Sequence, residues 1–280
     1  MKSQPDGLPV TRSLTLASVL SLVVAVLVAL ASAAGLLNPS LVYPADELRL
    51  SFVPNDVVNL VVGLPALIGS MWLARRGKLV GLLLWPGALF YAVYNYIAYL
   101  FGVPFIVLYP VYLIIFTLGV YTTIILMAST DARAVGRQLR GAVPDRLAGG
   151  VITGLGILFL FRAVGVIASA LVSQTPGGPP DLPVLIADFF TTGAWILGGI
   201  LLWRREDLGY VAGLGLLFQA STLFLGLILF LVIQPLMTAA PFSLTDIVVV
   251  IIMGLPCFIP FTLFLRGVGG RRHHPGSAET

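Results

Sequence analysis

The chain has 280 residues, of which 58% are hydrophobic and only 10% charged, with a formal net charge of +4. An ordinary globular chain carries about 25% charged residues, so this one cannot clothe a water-facing surface. That excludes a soluble enzyme, a disordered chain and a free nucleic-acid-binding domain, and leaves a polytopic membrane protein.

A hydrocarbon core about 30 Å thick needs roughly 20 apolar residues per helix. Stretches of that kind run, in chain order, over residues 13–36, 56–74, 79–101, 104–128, 148–172, 184–203, 208–236 and 243–266. Backbone in lipid must satisfy its own hydrogen bonds, and strands of about ten alternating residues, as in a barrel, are not seen. The expected fold is all-α: one transmembrane domain over residues 1–280 built from eight spanning helices. Ala31-Ser32-Ala33, behind a basic start, has the form of a signal-peptidase site. The apolar stretch from Ser13 is longer than a signal core of about 7–15 residues, so a retained helix is expected. Residues 43–55, with Asp46, Glu47 and Arg49, are expected to lie along the membrane interface.

The basic residues orient this path. Lys2, Arg12, Arg75, Arg76, Lys78, Arg133, Arg137, Arg140, Arg146, Arg204, Arg205, Arg266, Arg271 and Arg272 fall on one side, and only Arg49 on the other. Cytoplasmic loops hold the excess Lys and Arg, so both termini are expected in the cytoplasm, in a plasma membrane of bacterial type. The positive charge is then a matter of topology and anionic lipid, and no nucleic-acid partner is implied.

Residues 129–147 hold four arginines and divide the spans four and four. Two echoes cross the divide. Asn55-Asp56 opens the second span and Ala187-Asp188 lies near the start of the sixth; Arg75-Arg76 precedes Leu79 as Arg204-Arg205 precedes Leu208. An even number of spans per half would make these parallel repeats. Gly150/Gly154, Gly209/Gly213, Ala194/Gly198 and Gly165/Ser169 have the spacing of close helix contacts. Pro65, Pro86, Pro110, Pro256 and Pro260 each remove a backbone donor inside a span.

A charge at the centre of a spanning helix costs about 2.5–3.5 kcal/mol on insertion scales, which marks intramembrane ionisable groups as candidate sites. Arg162 lies mid-span in the fifth stretch, about 15 Å from its outer end at helical rise. Asp188, one turn into the antiparallel sixth span, is its expected partner, with Asp56 in competition. Asp56, Asn59, Gly63 and Ser70 share one stripe of the second span. Tyr91, Tyr94, Asn95 and Tyr99 share one of the third, and Tyr109, Tyr112 and Phe116 one of the fourth. An aromatic belt at headgroup depth accounts for Tyr99 and Tyr109; Tyr91 and Asn95 are too deep for it. Gln219, Ser221 and Thr222 are expected to hydrogen-bond between helices.

Cys257 is alone and both histidines, His273 and His274, lie in the polar tail. No disulfide, no metal site and no cofactor is expected. No span holds a lysine, and there is neither a phosphate-binding glycine loop nor an H-E-x-x-H motif. The leading reading is a small permease-like protein with a polar pocket in the outer half of the bundle. Its expected contacts for an anionic or zwitterionic solute are Arg162, Asp188, Asp56, Asn59, Tyr91 and Asn95. Alternatives are an assembly, sensor or regulatory component whose charges are structural, and a lipid-modifying enzyme, which would need a lateral opening.

Overall fold

The computed structural model describes residues 7–173 and 181–269. Lys2, Arg271, Arg272, His273, His274 and most of the Gly/Pro loop at 175–183 lie outside them. Among the described residues there are helices and one isolated β-bridge, Val10 to Thr130. Eight helices are long and apolar enough to cross a membrane: α1 (Thr15–Leu37), α2 (Asp46–Arg75), α3 (Leu79–Gly102), α4 (Tyr109–Ser129), α5 (Asp145–Ser173), α6 (Asp181–Trp203), α7 (Asp207–Met237) and α8 (Leu244–Gly269).

The second helix departs most from expectation. It begins at Asp46, not at 56, so the segment expected along the interface is the first three turns of the span. Hydropathy misses these turns because they carry Asp46, Glu47, Arg49 and Pro54, yet two acids suit the positive end of a helix dipole. Pro54 has no N–H for the carbonyl of Leu50. The Gln234 side chain, from α7, donates to that carbonyl at 3.0 Å and so replaces the missing bond. Further along, Pro65 denies the carbonyl of Val61 its partner, and the chain widens into a π turn over Asn59–Gly63 before the helix resumes.

α3 is the central mast. Leu82, Leu83, Trp85 and Leu89 on it are almost wholly buried. It touches α2 and α4 as hairpin neighbours, and α6 and α7 across the bundle. One apolar core gathers α1–α4, a second gathers α5–α8, and α3 contributes to both.

The α2–α3 and α6–α7 hairpins make the same turn. Gly77 N–H reaches Ala74 O (2.9 Å) and Lys78 N–H reaches Leu73 O (3.1 Å); Arg205 N–H reaches Leu202 O (3.0 Å) and Glu206 N–H reaches Leu201 O (2.9 Å). Both are helix ends closed by a left-handed residue, Gly77 at φ 72° and Arg205 at φ 62°. Next, Gly81 lies against the backbone of Leu73–Ala74, and Gly209 against that of Leu201–Leu202. Then Gly87 and Gly215 meet each other. All these pairs (77 to 205, 78 to 206, 81 to 209, 87 to 215) share one offset of 128 residues. The sequence pairing of Arg75-Arg76 with Arg204-Arg205 is therefore one residue out of register, because Arg205 occupies the left-handed position that glycine fills in the first hairpin.

Close packing of α5 on α6 also uses glycines other than those expected. Gly149 and Gly156 lie against Gly199–Trp203 and Ile196, whereas Gly154 faces open space and Gly150 meets only the Trp203 ring. At the arginine-rich face, Arg205 Nε lies 3.0 Å from the buried Asp145 carboxylate, which also accepts the Tyr210 hydroxyl at 2.9 Å. Arg140 donates to the Arg205 carbonyl (2.9 Å) and to Asp207 (3.3 Å). The described chain ends reach the same face, Val10 beside Thr130 and Gly267 beside the Ala142 carbonyl.

Candidate functional site

Above the Gly87–Gly215 contact, towards the face opposite the arginines, the bundle opens into a cavity of about 420 Å³. Its walls come from the start of α2, the second half of α3, Phe159 and Arg162 of α5, Pro183, Val184 and Trp195 of α6 and the second half of α7. It therefore lies between the two groups of four helices. Most of the lining is apolar or aromatic, including Phe52, Phe159, Trp195, Phe224 and Phe230. Phe159 and Trp195 meet edge to face at 5.3 Å, and the buried indole N–H of Trp195 donates to Gln219 Oε1 at 2.6 Å. Such a lining with few polar groups is the usual form of a small-molecule site.

The main charge in it is Arg162. Its guanidinium pairs with Asp188, as the sequence led one to expect, and Tyr94 donates to the other Asp188 oxygen at 2.9 Å. The pair is lopsided. The Asp188 side chain is 1% exposed, walled between α3, α5 and α6, whereas that of Arg162 is 51% exposed and lines the cavity. Guanidinium has five N–H donors in a planar fork, so an arginine held by one carboxylate still offers donors to a second anion. Tyr91 and Asn95 line the same space, and Asn95 is anchored by its amide N–H to the Tyr91 carbonyl at 3.0 Å. Glu47 and Ser51 stand at the α2 end of the wall.

Asp56 does not compete for Arg162. It is turned away from the cavity, towards α1, and is 1% exposed. Tyr43 donates to one of its oxygens at 2.7 Å and Tyr99 to the other at 2.8 Å. Asn59, 2% exposed, also lies off the cavity wall and donates to the Tyr99 hydroxyl at 3.2 Å. Asn55, on the wall, donates to the same hydroxyl at 3.3 Å. A Cβ on Gly35 would collide with the Asp56 carboxylate, so α1 must carry glycine there. Tyr43, in the α1–α2 connection, is driven well above the ordinary tyrosine range by burial and then by the nearby Asp56 carboxyl, and stays a neutral donor. Tyr99 is thus a buried member of this cluster and no part of an aromatic belt.

Of the six expected contacts, Arg162, Tyr91 and Asn95 line the cavity and Asp188 backs it; Asp56 and Asn59 form a separate buried cluster. Sequence reasoning missed Tyr43 and Gly35, which meet Asp56 from α1 and its connection, and Gln234, whose only signal was a polar residue near the end of a long apolar span. Gln219 does bond between helices, but Thr222 turns back to its own Phe218 carbonyl at 2.7 Å, and Ser221 finds no partner among the described residues. No family model, curated protein or solved structure matches the chain.

Proposed function

We propose that the protein is a small permease-like membrane protein that binds a compact anionic or zwitterionic solute with an apolar body in the cavity between its two four-helix halves. The single observation carrying this reading is a half-exposed Arg162 in the wall of a cavity of about 420 Å³. The solute's anionic group would meet the Arg162 fork, its apolar body the Phe159, Trp195 and Phe230 rings, and a cationic end, if present, Glu47. The shared turn and the constant offset of 128 residues support two parallel four-span repeats about an axis near Gly87 and Gly215. Transporters of repeated architecture bind at the repeat interface. The arginine-rich face would be cytoplasmic, in a plasma membrane of bacterial type, by the positive-inside rule.

A second reading, a regulatory or assembly component with purely structural charges, draws on the Asp188 carboxylate being fully engaged by Arg162 and Tyr94. Thermal unfolding of purified wild type and Arg162→Gln with a panel of small carboxylates, phosphates and amino acids separates the two. A solute that raises the midpoint of wild type and not of the variant supports binding. A panel that moves neither favours the structural role.

A further inference from the structure

Asp56 is 1% exposed, near the ends of α1 and α3, with no arginine, lysine or histidine paired to it among the described residues. Among the described residues, the titratable groups that face it are phenols: Tyr43 from the α1–α2 connection, Tyr96 and Tyr99 from α3, and Tyr112 from α4. Arg49, two turns earlier on the same helix, is held by Asp46 at 3.0 Å and by the Pro44 carbonyl at 3.1 Å. An ionised carboxylate without a counter-charge is costly in a low-dielectric interior, and the usual remedies are a proton or a metal ion.

Geometry separates the two remedies. The carboxylate oxygens already meet the Tyr43 and Tyr99 hydroxyls, and one of them fills the place of a Gly35 side chain. That leaves no room for a cation with its own oxygen shell at about 2.3 Å or more. A proton needs only an acceptor, and one is at hand. The Ser32 hydroxyl, fully buried and without a hydrogen-bond partner among the described residues, lies one turn before Gly35 on the face of α1 that meets Asp56. A hydroxyl both donates and accepts, so a small shift lets Ser32 donate to the ionised acid or accept from the neutral one.

The cluster also touches the cavity. Asn55 forms part of the cavity wall and donates to the Tyr99 hydroxyl, which donates to Asp56. We infer that Asp56 is a proton-binding site, with Ser32 as the partner that serves both protonation states and Tyr99–Asn55 as its connection to the cavity. This deepens the permease reading, because a solute pressing on Asn55 would act on the hydrogen bond that holds the ionised acid.

Infrared titration of ligand-free protein in lipid tests the site without requiring a cavity solute, so its failure and that of the cavity reading are distinguishable. Between about pH 4 and about pH 9, a range set by reference carboxyl values and the shifts that proteins impose, wild type is expected to show a carboxylic-acid carbonyl band that disappears on raising pH. The band should be missing from the isosteric Asp56→Asn. Tyr99→Phe removes a donor to the ionised form, and should tighten proton binding roughly tenfold, moving the midpoint up by about one pH unit. Asn55→Leu should move it the same way by less. A wild-type spectrum with no titrating band lost in Asp56→Asn overturns the proton site. A Tyr99→Phe or Asn55→Leu titration that overlays wild type overturns the connection to the cavity.

Discussion

Gly87 and Gly215 cross backbone to backbone: a Cβ on Gly87 would collide with the Gly215 carbonyl oxygen, and one on Gly215 would come within 3.2 Å of the Gly87 nitrogen. Small residues let helices approach where lipid removes the hydrophobic drive between them. This contact joins α3 to α7 below the cavity. Gly87→Ala should lower stability by about 1–3 kcal/mol, the usual range for overpacking. Gly69→Ala, where nothing lies within 4 Å, should be neutral or slightly stabilising. Thermal unfolding in one detergent compares the two; a Gly87→Ala variant as stable as Gly69→Ala would mean that the crossing does not constrain residue 87.

The Gln234 bond to Leu50 exists because Pro54 leaves that carbonyl free. Gln234→Leu should cost about 1 kcal/mol and speed hydrogen exchange in the first turns of α2. Replacing Pro54 by Ala restores a donor within the helix, so in that background the same change should cost much less. A double-mutant cycle measures the difference, and purely additive losses would refute the compensation.

Arg162→Ala leaves Asp188 buried with Tyr94 alone. The expected loss is about 3 kcal/mol, the low end for a broken buried pair because half of the arginine is exposed. Arg162→Met with Asp188→Leu should recover most of it, since removing both charges removes the orphan. If the double variant is no more stable than the single, an orphaned Asp188 was not the source of the loss.

Arg205 holds the left-handed turn at φ 62° and also pairs with Asp145. Arg205→Ala loses the pair and keeps the strain; Arg205→Gly loses the pair and relieves it. Glycine should be the more stable variant by about 1 kcal/mol. Alanine equal to glycine in unfolding midpoint would show that the backbone there is not strained.

Much of this architecture was readable from composition. Long apolar runs and one-sided arginines specify eight helices, because lipid permits no other span here. The Arg162–Asp188 pair was legible since two lone charges at similar depth on adjacent helices have few other partners. The start of α2 was not, because three charges and a proline lower its hydropathy while its partner, Gln234, lies 184 residues away. The Asp56 cluster was hidden for the same kind of reason: Tyr43 lies in a connection, and Gly35 carries no chemistry of its own until α1 is set against α2. The register of the two hairpins escaped because arginine stands in for glycine at Arg205, a substitution visible only in the backbone.

The central proposal is a cavity between the halves that is open to solutes from the face opposite the arginines. Ala98 lines it, and Cys257, the lone native thiol, is fully buried. In a Cys257→Ser background, Ala98→Cys in sealed vesicles should react with a small membrane-impermeant thiol reagent applied to that face. The reaction should slow when Leu227→Trp fills the space. No labelling of the folded protein from either side, with ready labelling after unfolding, would contradict the proposal and mark the cavity as closed to solutes.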